Sequence, residues 1–343
     1  MSGSVLITGG TGTFGRAFIR RALTQPWSRV ISYSRDEMKA SALTDEFGHA
    51  APFKAFLGDV RDRERLAVAL RGVDTVIHAA ALKRVDQGAY SPSEILKTNI
   101  TGTCNVVDEA IRAGVRHVVV ISSDKAVHPT NIYGATKYCA ETYAIQANSY
   151  AASTGTRIAA VRYGNVLGSR GSVPHIWRRQ LAAGQPMTLT DPRMTRFVMT
   201  IEQAVALVQT ALDHMQGGEV FVPILPSATM RDLAAAVFQR MYRETAFNGE
   251  QYLRVTGLRP GGEKLAESLL NEEEPVRTRR VSSDRHPRDY YIVTPSCHDW
   301  TSKSWDDTGT AVDPSLTYRS DVNDLWLTPS DLLLLLDSTE AMR

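Results

Sequence analysis

The chain has 343 residues, 43% of them hydrophobic and 22% charged, which excludes a disordered protein and suffices for one large α/β unit with a smaller attached lobe. Its 39 basic and 37 acidic side chains leave a formal net charge of +2, giving no basis for nucleic acid or an anionic membrane surface as main partner. Three widely spaced cysteines, Cys104, Cys139 and Cys297, match neither a disulfide framework nor zinc-ligand spacing, so no metal site is expected and a reducing cytoplasm fits best.

Met1-Ser2-Gly3-Ser4 leads directly into Val5-Leu6-Ile7, so no secretory leader is expected. Short β-branched runs then alternate with helical patterns. The runs Val5–Thr8, Val30–Tyr33, Phe53–Leu57, Thr75–His78, Val118–Ile121 and Ile158–Arg162 read as strands. Between them Gly12–Leu23, Arg63–Leu70, Ser93–Ala113 and Asn131–Ala152 read as helices. This rhythm predicts an α/β fold, a Rossmann-type doubly wound parallel sheet with right-handed crossovers and helices on both faces. Beyond Val166 a glycine-rich stretch, Gly168–Val173, precedes a helix over Pro174–Ala183, and Glu219–Pro223 supplies one more strand. From Tyr252 the chain reads as polar and irregular. Residues 1–165 are therefore expected to form the cofactor domain, with about 195–224 partly returning to it, and 166–343 a smaller C-terminal α/β substrate lobe. The longest apolar run, Leu332–Leu336, is far too short for a membrane span and suits a helix packed on the core, so a soluble protein is expected.

The first strand runs into Thr8-Gly9-Gly10-Thr11-Gly12-Thr13-Phe14-Gly15. Glycines at three-residue steps allow a sharp turn, close approach to a pyrophosphate, and tight packing of the next helix, whose N-terminal amides face the phosphates. At the tip of the second strand an NAD site would place an acid on the ribose 2′-hydroxyl; this chain has Ser34-Arg35, with Lys39 one turn on. A guanidinium matches a 2′-phosphate, so NADP is expected; the alternative is that Arg35 and Lys39 are solvated charges and Asp36 reaches the ribose. Asp59 and Val60 follow the third strand and suit an adenine contact, while Ala79 and Ala80 after the fourth leave room for the cofactor backbone.

Tyr133-Gly134-Ala135-Thr136-Lys137 opens a predicted helix, with the phenol and the amine on one face. A neighbouring ammonium favours the phenolate and can bring a tyrosine towards service as a base. Ser122-Ser123-Asp124-Lys125 precedes it at the tip of the fifth strand. Asp124 and Lys125 read either as an acid–base pair or as an ion pair closing a loop.

These stretches, with Gly58–Asp62, His78–Lys83, Lys97–Asn99, Arg162–Val173, Asp191–Phe197, Gly217–Pro223, Gly257–Leu265 and Tyr318–Leu327, resemble the inverting UDP-N-acetylglucosamine 4,6-dehydratases of the pseudaminic-acid type, extended short-chain dehydrogenase/reductases. The resemblance covers nearly the whole chain. It implies cofactor contacts from Gly9, Thr11, Gly12, Thr13, Phe14, Gly15, Ser34, Arg35, Lys39, Asp59, Val60, Ala79, Ala80, Lys83, Tyr133 and Lys137. It implies a catalytic set in which Tyr133 takes the 4-hydroxyl proton, Lys125 the C5 proton, Asp124 protonates the departing 6-hydroxyl, and Ser123 holds the 4-oxygen. It places the nucleotide sugar against Lys83, Asn165, Arg196, Arg259 and Glu263, gives Asn99 a structural role, and implies a homo-oligomer. The basic run Arg277-Thr278-Arg279-Arg280 reads as a solvated face or, alternatively, a substrate contact. Two substrate-facing segments, Lys83–Tyr90 and Arg259–Glu267, depart from the family pattern, the second with an added glycine, leaving the sugar open. A nucleotide-sugar 4- or 5-epimerase on the same scaffold is the nearest alternative, and a non-catalytic NADP-sensing regulator the more distant one.

Overall fold

Each β-branched run expected to be extended forms a strand in the computed structural model, which describes residues 3–48, 52–83, 90–169, 171–243, 250–258, 261–282, 289–296 and 302–339. In chain order the first half contains β1 (Gly3–Thr8), α1 (Thr13–Ala22), β2 (Trp27–Ser34), α2 (Glu37–Phe47), β3 (Phe53–Leu57), α3 (Arg63–Ala69) and β4 (Thr75–His78). Helices α4 (Pro92–Leu96) and α5 (Gly102–Arg112) follow, joined by a π-helical turn over Lys97–Thr101. Then come β5 (His117–Ile121), α6 (Ile132–Gln146), β6 (Arg157–Val161), β7 (Asn165–Val166), α7 (Val173–Ala182), β8 (Met187–Leu189), β9 (Thr195–Met199), α8 (Ile201–His214) and β10 (Val220–Pro223). The chain closes with β11 (Ser227–Thr229), α9 (Met230–Tyr242), β12 (Leu253–Val255), β13 (Thr278–Val281), β14 (Tyr290–Val293), β15 (Thr310–Ala311) and α10 (Pro329–Ser338).

The large sheet has the order β15-β13-β14-β10-β6-β5-β4-β1-β2-β3, and from β10 to β3 every pairing is parallel. The order 3-2-1-4-5-6 within it is that of a doubly wound dinucleotide fold. Period-2 alternation sorts the core: Val5 and Ile7 of β1 pack with Phe18 and Ile19 of α1 on one face, whereas Leu6 packs with Leu66, Val106 and Val107 on the other.

The polar C-terminal region differs from its irregular reading. Strands β13, β14 and β15 extend the large sheet by antiparallel pairing, β14 against β10 and β13 against β14 and β15. Their backbones supply the ladder while the arginines of β13 are spent on partners outside it: Arg280 binds Asp289 at 2.8 Å and Arg279 binds Asp306. A strand whose side chains are this polar gives no apolar alternation to detect. Helices α2, α8 and α9 also lie outside the sequence expectation. A second sheet, β11-β9-β7, and the pair β12-β8 sit apart from the main sheet, with Trp177, Leu181, Phe238 and Leu332 in their own core. No helix among the described residues is long and apolar enough to cross a membrane.

Candidate functional site

The cofactor crevice is built by steric necessity. Gly9 lies in the left-handed region at φ +69°, and a Cβ there would stand 2.9 Å from Ala80 Cα; a Cβ on Gly15 would stand 2.6 Å from Gly10 Cα. Gly12, the N-cap of α1, makes no side-chain cap hydrogen bond, so no capping side chain covers this helix terminus, where Thr11, Thr13 and Phe14 stand and a phosphate would approach. At the end of β2 the Ser34 hydroxyl is buried and has no hydrogen-bond partner among the described residues. Asp36 accepts from the Lys39 amide at 3.0 Å as the cap of α2, and its carboxylate also takes the Lys39 ammonium. Arg35 is half-exposed, 3.7 Å from Asp59, whose carboxylate is gripped at 2.7 Å by Arg61. Val60 is buried in the core on that side of the sheet. Ala79 and Ala80 border Gly9, and Lys83 is exposed at the end of the loop. The cradle, the open helix terminus and the orphaned serine fit a dinucleotide.

Asn99 holds this loop in place, as expected of a structural residue. It accepts from the Leu82 amide at 2.7 Å, donates to the Leu82 carbonyl at 2.9 Å, and donates to Thr136 Oγ1 at 3.0 Å. The cofactor loop is thereby tied to the catalytic helix α6.

The residues expected to be catalytic come together where β5 ends. Asn131 caps α6 by accepting the Gly134 amide at 2.9 Å, which sets the direction of Tyr133. Gly134 lets α6 approach the turn Asp124–Ala126: a Cβ there would overlap the Lys125 carbonyl oxygen. Asp124 is 1% exposed. Its Oδ1 accepts from Ser123 Oγ at 2.8 Å and from Lys125 Nζ at 2.9 Å, while Oδ2 has no partner among the described residues. Lys125 Nζ also lies 3.5 Å from Asn165 Oδ1 on β7 and 3.3 Å from Glu267 Oε1. These carboxylates hold the Lys125 ammonium well above the ordinary lysine range despite burial. Burial raises the Tyr133 phenol, and the Lys125 ammonium and a Ser123 hydrogen bond work against that rise. Lys137, one turn along α6, donates to the Ile121 carbonyl, and burial pulls its ammonium down to about 8.

The substrate end needs two corrections. Arg196 was expected to clamp a pyrophosphate, but it is 7% exposed and its N–H groups are engaged. They donate to the Thr195 carbonyl (2.7 Å), the Leu265 carbonyl (3.1 Å) and the Lys264 carbonyl (3.0 Å), so Arg196 is a strut for the segment 264–267. Of the run 277–280, expected as a solvated face, Thr278, Arg279 and Arg280 lie in strand β13, where Arg279 is half-buried and both arginines are paired while Arg280 stays exposed. Glu263 is half-buried, and Arg259 lies outside the described residues.

Sequence reasoning missed Glu267 and Lys264. Glu267, 3% exposed, faces Lys125, and Lys264 Nζ stands 2.7 Å from its Oε2. Nothing in local pattern marks a buried carboxylate in an irregular loop; only the contact across the fold reveals it. Tyr163, whose carbonyl accepts the Asp124 amide at 3.1 Å, was missed as well. Among the described residues no cluster could hold a metal ion.

A 3-2-1-4-5-6 sheet with a glycine cradle after its first strand and a Tyr-x-x-x-Lys helix beside its fifth defines a Rossmann-fold enzyme of the extended short-chain dehydrogenase type. Within that class the chain belongs to the family described as polysaccharide biosynthesis protein, whose model matches residues 5–286. It is 37% identical to a UDP-N-acetylglucosamine 4,6-dehydratase (inverting) of Campylobacter jejuni, over 98% of each chain. It is also 37% identical to a UDP-glucose 4-epimerase of Rickettsia rickettsii, over 84% of this chain and 82% of that one. Among solved structures, Pen from Bacillus thuringiensis aligns with TM-score 0.87 and 32% identity, covering 100% of this chain and 99% of that one. The dTDP-glucose 4,6-dehydratase DesIV from Streptomyces venezuelae, with NAD and TYD bound, shares the fold at TM-score 0.66 and 24% identity, over 76% and 86% of the two chains.

Proposed function

We propose that this chain is a nucleotide-sugar 4,6-dehydratase that removes water from UDP-N-acetylglucosamine or a close relative, with inversion at C5 and NADP as cofactor. The observation that carries the reading is the buried Asp124, bonded to Lys125 at 2.9 Å with one carboxylate oxygen left open, in the same site as Tyr133. Epimerisation at C4 breaks no C–O bond at C6 and needs no such pair. A nicotinamide dinucleotide held against the cradle of Gly9, Gly12 and Gly15 would supply reversible hydride transfer between C4 and C6.

Tyr133 accepts the 4-hydroxyl proton, with Ser123 against the sugar oxygen. The 4-ketone so formed acidifies the C5 proton. At rest Lys125 is an ammonium against the Asp124 carboxylate, which is neither a base nor an acid. One proton moved along their 2.9 Å hydrogen bond yields a neutral amine beside a carboxylic acid, creating both catalysts at once. Lys125 then takes the C5 proton and Asp124 protonates the departing 6-hydroxyl. The elimination restores the original ammonium and carboxylate, so the pair is reset without outside protons.

The preference for NADP rests on Asp36, whose carboxylate serves α2 and Lys39, while Arg35 projects half-exposed at the tip of β2. A capped and paired acid is poorly placed to bind a ribose hydroxyl. The part of residues 166–343 outside the large sheet, built on β11-β9-β7 and β12-β8, would cover the sugar, with Lys83, Asn165, Glu263 and Arg259 as its proposed contacts and a homo-oligomer as the proposed assembly.

Incubation with UDP-N-acetylglucosamine in heavy water tests the reading. Loss of one water with one deuterium at C5 is expected, with the inverted configuration by NMR. An unchanged sugar mass with altered configuration would establish an epimerase instead.

A further inference from the structure

A lysine that must surrender its proton to act as a base is surrounded, in this protein, by groups that decide how readily it can do so. Asp124 lies beside Lys125 in the same turn, Tyr133 faces it from α6, Asn165 from β7, Arg196 from β9, and Glu267 from the loop before β13. Glu267 is not part of the acid–base chemistry described above, yet it is almost wholly buried and lies 3.3 Å from the amine.

The loop that carries Glu267 is fastened to the site from several sides. Thr130 Oγ1 and Asn131 Nδ2 donate to the Gly262 carbonyl at 2.6 and 3.2 Å. Gly262 itself sits at φ +85°, and a Cβ there would strike the Thr130 carbonyl, so a glycine at this position is what lets the loop close. Lys264 Nζ donates to the Val127 carbonyl at 2.9 Å, and the Thr195 amide donates to the Leu265 carbonyl at 2.9 Å. The Glu267 amide donates to Ser320 Oγ at 3.0 Å. So held, its carboxylate meets Lys125 on one oxygen and Lys264 on the other, with Arg196 Nε 4.0 Å away.

We infer that Glu267 is a positioning residue for Lys125: it aims the amine and keeps it protonated at rest, while Lys264 and Arg196 neutralise the carboxylate enough for the proton to leave when substrate arrives. The inference rests on the dehydratase reading for its purpose, but its electrostatics stand alone. A buried carboxylate favours the ammonium, and a cation beside that carboxylate weakens its hold. Removing Glu267 and removing Lys264 therefore act on Lys125 in opposite directions. A loop that merely loosened would expose Lys125 in both variants alike.

The test uses the full chain with Glu267→Gln and Lys264→Met. The probe is acetic anhydride labelling of Lys125 across pH, read by mass spectrometry; its side chain is 32% exposed, and only the neutral amine reacts. At fixed pH, Glu267→Gln should raise the labelling rate by about tenfold for each unit by which the amine's affinity for its proton falls. Lys264→Met should lower the rate. In turnover, the alkaline limb of the pH–rate profile, where Lys125 loses to solvent the proton it must pass to Asp124, should move down for Glu267→Gln and up for Lys264→Met. Equal rates in native protein and Glu267→Gln, or the same direction in both variants, would overturn the inference. If Glu267→Gln does not fold, Lys264→Met decides: slower labelling supports the inference, and unchanged or faster labelling overturns it. Labelling needs no turnover, so failure to dehydrate any nucleotide sugar would end the functional reading while leaving this test standing.

Discussion

Replacing Asp124 by asparagine keeps the shape of the side chain and removes the acid. Asp124 accepts two hydrogen bonds on Oδ1 and is 1% exposed. The amide oxygen still faces Ser123 and Lys125, so the loss to folding is that of a weakened charge-assisted bond, about 1–3 kcal/mol. Stranding a buried charge would cost about 3–5 kcal/mol, but Lys125 retains Glu267 at 3.3 Å. Catalysis suffers more. Loss of a general acid slows the step it serves by roughly 10²- to 10⁴-fold, or about 3–5 kcal/mol of barrier. Hydride removal at C4 makes no use of Asp124 and should proceed. A single-turnover experiment that follows the near-ultraviolet absorbance of reduced nicotinamide, with mass spectrometry of the sugar, separates the two steps. The absorbance should rise at about the native rate and persist, while loss of water is retarded by that factor. Dehydration at the native rate in folded Asp124→Asn would refute the role given to this carboxyl. An absorbance rise slowed as much as the loss of water would move Asp124 to the first step.

Tyr133→Phe should slow hydride transfer by roughly 10²- to 10⁴-fold while dinucleotide affinity, measured by calorimetry, stays near native; native turnover would remove the phenol from the mechanism. Arg35→Ala should weaken NADP by about 1.5–3 kcal/mol, the worth of a hydrogen bond to a charged group, and leave NAD nearly unaffected; equal losses for both would show that Asp36 or another group reads the ribose. Lys137 bears on stability as well as chemistry. Its buried ammonium is pulled from the ordinary 10.5 to about 8, so the unfolded chain holds the extra proton between those values and stability rises with pH across that window. The full effect is roughly 3 kcal/mol. Denaturant midpoints from pH 8 to 10 should climb less steeply in Lys137→Met, and parallel slopes would contradict the burial of the free amine.

How much of this was legible in the sequence follows from how local each constraint is. The glycine cradle at Gly9, Gly12 and Gly15 and the spacing of Tyr133 and Lys137 are set within one turn of chain, and both could be read directly. The central strands β4, β5 and β6 announce themselves because parallel strands buried on both faces are largely apolar, whereas β3 at the sheet edge is legible only from its short hydrophobic run. Strand β13 does not, because Arg279 and Arg280 satisfy their charges on Asp306 and Asp289 and leave no hydrophobic rhythm. Arg196 illustrates a different limit. An arginine in a substrate-facing segment reads equally well as an anion clamp or as a strut, and only its carbonyl partners decide. Glu267 was out of reach for the same reason: its meaning is its distance from Lys125, which no spacing along the chain encodes.

That contact also bears on how a redox scaffold becomes a dehydratase. The glycine cradle, Tyr133 and Lys137 suffice to oxidise and reduce a carbinol, and they occupy the sheet half of the molecule. Elimination needs something further, an acid and a base of nearly matched proton affinity, since one must give what the other takes. Two adjacent residues of opposite charge, Asp124 and Lys125, cannot match while the ammonium sits between two carboxylates. Lys264 from the loop that carries Glu267, and Arg196 from β9, weaken the hold of that carboxylate on the amine. The readiness of Lys125 to act as a base is therefore set as much by that loop, and by the glycine that lets it close, as by the strand tip where the reacting groups stand.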